Sequence, residues 1–279
     1  MKKILLPVIA VLLYSFVSAQ VQLPQLSPTA SITENFGIGK IILVYSRPSI
    51  KGRTVFQENS DLAPLGKLWR TGANAATRLT FTEKVNFGGK DLDTGSYVLY
   101  TIPGDTEWEI ILNKGLTNGG TDGYKESEDV VRFKVPADNS MDLDVETFTM
   151  EFLNIKPESC ELALIWGNTV VSIPITTNFK DKARMQLQAA MQGNDKPYWQ
   201  AANFYYTYDK DYTKALENVN HAIEGEQDAF YMYMMKARIQ KELGDKTGAK
   251  ASAEKCIQLA TTAKNDDYVK QGNEFLKTL

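Results

Sequence analysis

Tyr97-Val98-Leu99-Tyr100-Thr101-Ile102 is followed by Pro103-Gly104-Asp105, and then by Glu107-Trp108-Glu109-Ile110-Ile111-Leu112-Asn113. Two runs rich in β-branched and aromatic residues, joined by a short turn-forming segment, predict a β-hairpin. The same period of two extends outward from it, from Ser27 to about Ile175. Upstream, residues 40–46 read as a strand that stops before Pro48, and residues 77–85 place Leu79, Phe81, Glu83 and Val85 on one side. Gly88-Gly89 and Asp93-Thr94-Gly95 are turns around a short strand at 90–92. Downstream come strands at 130–135, 145–155, 161–166 and 170–175, the last two joined by a tight turn at Gly167-Asn168. Several short strands with no helical period between them predict an antiparallel β-sandwich, with a barrel as the second choice.

After Thr176-Thr177-Asn178 the period becomes helical. Trp199 and Tyr233, Asp211 and Asp245, Ala215 and Ala249, Ala222 and Cys256, and Ile223 and Ile257 pair at one constant spacing of 34 residues. A 34-residue helix–turn–helix unit with a large aromatic first and small residues near its end is the tetratricopeptide pattern. A helix at 185–191 leads in and one at 266–279 closes the array. Asn203 stands where a small residue is usual, which Ala237 restores in the second unit. The expected fold is therefore multidomain, β followed by α: a leader at 1–19, an antiparallel β-sandwich at 20–176, and a short tetratricopeptide-like helical region at 177–279.

The leader is read from Lys2 and Lys3, an apolar run from Ile4 to Val17, and Ser18-Ala19-Gln20. That order of charged, apolar and small residues is a secretory signal. Its apolar run of about 14 residues falls short of the ~20 that span a bilayer. The expectation is an exported chain, periplasmic or extracellular, with no membrane span once the leader is removed. Export permits disulfides, but only Cys160 and Cys256 are present, one in each half. A bridge between them is open; two buried free thiols are the expectation.

Composition narrows the chemistry. Net charge is −3 with no Lys/Arg-rich run, so no nucleic-acid partner is expected. The single histidine, His221, leaves a Ser-His-Asp triad or a multi-His zinc site nothing else to use. Its place on a repeat helix, three residues before Glu224, reads as a solvated position. No catalytic motif, cofactor site or metal site is expected.

Several ordered motifs between about Leu26 and Ile175 resemble domain-of-unknown-function family 2911. They are Val44-Tyr45-Ser46-Arg47-Pro48-Ser49-Ile50-Lys51-Gly52-Arg53; Trp69-Arg70-Thr71-Gly72-Ala73-Asn74; Gly88-Gly89-Lys90; and Gly95-Ser96-Tyr97 running on to Pro103-Gly104, followed by Glu107-Trp108 and Asn113-Lys114. Asp93-Thr94 before Gly95 departs from the proline or alanine usual there. The resemblance implies an exported β-domain, often with helical repeats behind it, and implies no reaction.

Candidate binding groups gather in and near residues 66–74. Arg47, Arg53, Lys67, Trp69, Arg70 and Asn74 are the candidate ligand-binding set, with Lys51 and Arg78 nearby. Guanidinium forks suit carboxylate or phosphate groups, Trp69 offers a face to a sugar ring, and Asn74 an amide. The competing reading makes Trp69 a core plug, Gly72 a turn glycine, and Arg70 the partner of Glu83 or Glu109. Residues 118–123 read as a solvated excursion and Glu126-Ser127-Glu128-Asp129 as a solvated acidic turn. Asp142, Asp144 and Glu146 are expected to face water. The functional expectation is an exported cell-envelope binding and assembly module, the loop taking an anionic or carbohydrate ligand and the repeats docking a partner protein. The alternative is a hydrolase of envelope carbohydrate with carboxylates as acid and base.

Overall fold

A computed structural model describes residues 23–142 and 144–279; the predicted leader lies outside the described residues. The chain divides into two compact units. One holds the described residues up to Asn35 with Gly39–Thr176, the other Phe36–Ile38 with Thr177–Leu279.

Eleven strands make the first unit: β1 Thr29–Phe36, β2 Gly39–Ser46, β3 Thr77–Phe81, β4 Val85–Phe87, β5 Lys90–Leu92, β6 Gly95–Ile102, β7 Glu107–Asn113, β8 Asp129–Asp138, β9 Val145–Lys156, β10 Ser159–Gly167 and β11 Thr169–Thr176. They form one sheet in the order β1-β2-β3-β6-β7-β8-β11-β10-β9, with β4 on β11 and β5 on β4. The predicted hairpin at 97–113 is β6–β7, in register from Val98 opposite Asn113 to Ile102 opposite Glu109. Trp166 faces Thr169 across the predicted turn, and Gly167 there takes φ +59°, the left-handed backbone that glycine adopts most readily.

The two ends of this sheet nearly meet. Beyond β2 the chain bridges β9 at Ser49 and Thr147, with Ile50 N–H donating to the Glu146 carbonyl at 2.9 Å and Phe148 N–H to the Pro48 carbonyl at 2.8 Å. Tyr45 hydroxyl donates to the Met150 carbonyl at 3.2 Å and accepts from its N–H at 2.9 Å. The result is an antiparallel sheet close to a barrel, its flanks sharing one aromatic core. Trp69 and Trp166 stack at 5.7 Å, and Phe56, Trp108 and Phe148 meet them edge-on or tilted.

One expected strand is broken. The 77–85 run ends at Phe81, and after a bend through Thr82, Glu83 and Lys84 the chain restarts as β4 on a different partner, Phe87 opposite Ile175. Leu79, Phe81, Val85 and Phe87 are all buried, so the apolar alternation reads alike whether one strand or two carries it. Thr82 marks the break: its N–H still donates to the Lys40 carbonyl at 3.0 Å, but Lys40 N–H returns to the Thr82 hydroxyl oxygen at 2.8 Å and not to its carbonyl.

The second unit is helical: α1 Lys180–Ala190, α2 Tyr198–Phe204, α3 Tyr212–Gly225, α4 Phe230–Glu242, α5 Lys246–Thr262 and α6 Asp266–Leu276, with α2 widening into a π turn at Tyr205–Asp209. The 34-residue pairing has a physical basis. Asp211 and Asp245 both cap a helix, their carboxylates accepting from Lys214 N–H at 3.0 Å and Gly248 N–H at 2.8 Å. Ala215 and Ala249 are both fully buried where α3 and α5 meet their neighbours. Cys160 and Cys256 are free and buried.

Candidate functional site

The 66–74 loop is fastened along the end of β6. Gly66 N–H donates to the Pro103 carbonyl at 2.8 Å, and Trp69 and Thr101 exchange both backbone bonds at 2.8 and 3.0 Å. That short ladder imposes a period of two, so neighbouring residues take opposite faces. Trp69 turns inward, 4% exposed, and its Nε1–H donates to the Gly72 carbonyl at 3.1 Å. The indole has no face left for a sugar ring: the aromatic core encloses it. Thr71 and Asn74 sit at φ +54° and +55°, and Gly72 at φ +148°. A β-carbon on Gly72 would come within 2.8 Å of the Ser46 carbonyl oxygen, so this position needs glycine on both counts.

Leu68 and Arg70 take the outer face. Leu68 packs with Val98, Tyr100 and Ile111 in a small second cluster, which Tyr124 also joins. The 114–125 segment lies over this cluster. Tyr100 hydroxyl donates to the Gly120 carbonyl at 2.8 Å, and Asn113 Nδ2 donates to the carbonyl of Lys125 at 2.9 Å. The glycine-rich 118–123 stretch is thus anchored from below at Gly120, while Gly119, Thr121, Asp122 and Gly123 stay exposed as expected. Arg70 reaches it, since a β-carbon on Gly120 would lie 2.8 Å from Arg70 Nη1. Arg78, exposed, reaches the same segment, its Nη2 donating to the Leu116 carbonyl at 3.1 Å.

The two arginines differ from Arg132 in what surrounds them. Arg132 pairs with Glu109 at 2.8 Å and with Asp129 at 2.8 Å, and donates to the Tyr124 hydroxyl at 2.6 Å. Tyr124 in turn donates to Asp129 at 2.8 Å. Burial, then the bond to Asp129, pushes the Tyr124 phenol well above its ordinary value. Asp129, read as part of a solvated turn, is instead the shared partner at the centre of this cluster, its side chain 9% exposed. Glu109, a carboxylate the sequence offered to Arg70, is taken by Arg132. Glu107 and Glu109 alternate along β7 and Arg132 and Lys134 along β8, with Glu109 directly opposite Lys134 and Arg132 the diagonal neighbour opposite Ile111; that was the available signal, once pairing was known.

The other candidates scatter. Arg47 joins β2 to β9, donating to the Phe148 carbonyl at 3.2 Å and Thr149 Oγ1 at 2.9 Å. Arg53 folds back on the carbonyls of Ser49 and Ile50 at 2.7 and 3.0 Å. Asn74 Nδ2 donates to the Ser27 carbonyl at 3.1 Å, and Lys67 is exposed. Of the six, Arg70 shares its segment with another arginine, Arg78, and among the described residues neither has a carboxylate partner. His221 stacks on Tyr198 at 4.8 Å and contacts Glu224 at 3.2 Å. Glu146 accepts from Lys51 N–H at 2.8 Å. Among the described residues no His, Cys, Asp or Glu cluster would hold a metal ion, and no helix is long and apolar enough to cross a membrane.

The model of the family described as protein of unknown function (DUF2911) matches residues 27–175. The chain belongs to this family. The match spans β1 to β11, so the DUF2911 part carries the aromatic core, the 66–74 loop and the outer-face cluster alike. Comparison with curated proteins finds no match.

Proposed function

We propose that the protein is an exported binding and assembly module of the cell envelope, in which Arg70 and Arg78 receive an anionic group and the helical unit docks a partner protein. One observation carries the first half. In a chain of net charge −3, Arg70 and Arg78 reach one glycine-rich segment with no carboxylate partner among the described residues, each held by a single backbone carbonyl. The remaining N–H donors match a phosphate or carboxylate. In the helical unit, a cleft of about 250 Å³ lined by Met191, Tyr205, Lys214 and Asn218 supports the docking half. The hydrolase reading has no such observation behind it: Glu109 and Asp129 share Arg132, and Trp69 is enclosed.

The test is pull-down from envelope extract, with titration by inorganic phosphate beside it. Arg70→Ala with Arg78→Ala is expected to abolish phosphate binding, and Met191→Ala with Lys214→Glu to remove protein partners. A partner list unchanged by the second pair sinks the docking role; phosphate binding unchanged by the first sinks the anion site.

A further inference from the structure

One end of the β unit holds a cavity of about 180 Å³ that shares no residue with the Arg70–Arg78 region. Trp108 and Phe56 line it, their rings 4.6 Å apart. Phe56 takes φ +53°, a left-handed backbone that is a true outlier for a bulky aromatic. The 51–66 segment enforces it: Phe56 N–H donates to the Ala63 carbonyl at 3.1 Å, and Leu65 N–H to the Gln57 carbonyl at 3.3 Å. Backbone strain of this kind persists only where the surroundings over-determine it, and it concentrates at binding sites.

The opposite rim is polar and already organised. Asn139 donates to the Asp105 carbonyl at 2.7 Å and accepts from Thr169 Oγ1 at 2.8 Å. Asn168 Nδ2 donates to the Asn139 carbonyl at 2.8 Å. With the rim locked, three groups on it have no protein partner among the described residues: the Gln57 amide, the Asp105 carboxylate and the Asn168 amide oxygen. They supply both donors and acceptors, and no cation is among them.

We infer that this cavity is a binding site for one neutral sugar ring. Gln57, Asp105 and Asn168 are exposed polar groups at the cavity mouth, so a purely apolar ligand would make no hydrogen bond with them and would have to displace their water. An anion would meet Asp105 with no cation to offset it. Hydroxyls satisfy carboxylate and amides together, while ring C–H groups pack on Phe56. The volume lies below the ~300–1,000 Å³ of pockets for larger ligands, so it suits a single ring or the end of a chain.

Saturation-transfer NMR on the full chain with glucose, galactose and N-acetylglucosamine as probes tests this. At least one should receive saturation at its ring protons, and Gln57→Ala and Asp105→Asn should each weaken its Kd about tenfold. Thermal unfolding of each variant confirms that it is folded, as exposed positions predict. Arg70→Ala should leave sugar binding unchanged, which separates this site from the proposed anion site. No transfer to any of the three sugars, or affinity unchanged in both rim variants, overturns the inference. So does tighter binding of tetramethylammonium than of every sugar, which would make the site a cation cage.

Discussion

At the scale of single residues, Trp69 and Arg70 are neighbours with opposite fates, because a strand-like backbone sends successive side chains to opposite faces. Trp69→Ala empties a core position stacked against Trp166 and should destabilise by about 3–5 kcal/mol. Among the described residues Arg70 has one hydrogen bond to lose, to the Asn74 carbonyl at 3.3 Å, so Arg70→Ala should cost under ~0.5 kcal/mol. Arg132→Ala is the control that shows what a structural arginine looks like. It strands Asp129, whose side chain is 9% exposed. Arg132 itself is 29% exposed, so the loss should fall near the low end of buried-pair values, about 3 kcal/mol. Denaturant unfolding of the three variants gives the ranking. An Arg70 loss as large as that of Arg132 would move it from binding group to scaffold.

At the scale of elements, the repeat is a matter of helix starts and close approaches. Asp211 and Asp245 occupy the same position 34 residues apart and do the same work, accepting an otherwise unpaired N–H three residues on. Asp211→Ala and Asp245→Ala should each cost about 1 kcal/mol, read from helical circular dichroism in denaturant. The Asp211 carboxyl is held below its ordinary value of 3.8, first by the Lys214 N–H and then by the Lys214 side chain. Its share of the stability is therefore present above pH 3.8 and lost as pH falls through the depressed value. An Asp211→Ala variant should accordingly match the parent in strong acid, diverge from it as pH rises from the depressed value to 3.8, and differ by a constant amount above that. Among the strands, the break between β3 and β4 shows the limit of periodicity. Both halves bury alternate residues, and nothing local records that the second half pairs with β11.

At the scale of the molecule, each unit has its own core and each core encloses one thiol. Burial, with the charges of Glu34 and Glu161 adding to it, pushes the Cys160 thiol from 9.0 up to about 12. Burial pushes Cys256 up to about 11, against a lowering by Arg238. Since the thiolate is the reactive form, a disulfide reagent at pH 8 should label neither cysteine in the native chain and both after denaturation. The folded state keeps these protons more tightly than the unfolded one. Their contribution to stability is thus complete below the unfolded value near 9 and is lost as pH rises towards 11 and 12. Unfolding measured between pH 8 and 12 should show that fall, and substituting both cysteines by alanine should flatten it. Rapid labelling of either native thiol would mean that the core around it opens.

The sequence by itself determined what is local: the hairpins at 97–113 and 161–175, the turn at Gly167, the switch from period two to helical period after Thr176, and the 34-residue spacing with its paired aspartates. These follow from side-chain alternation and turn or cap chemistry within a few residues. Only the tertiary structure decided what joins distant positions. Tyr45 meets Met150 across 105 residues to bring the sheet ends together, Glu109 goes to Arg132 and not to Arg70, and loops from four parts of the chain meet around Phe56 and Trp108. The reason is that a period of two assigns a side chain to one of two faces but not to a partner. Strand pairing selects the partner, and pairing is settled by how the whole sheet buries its aromatic core.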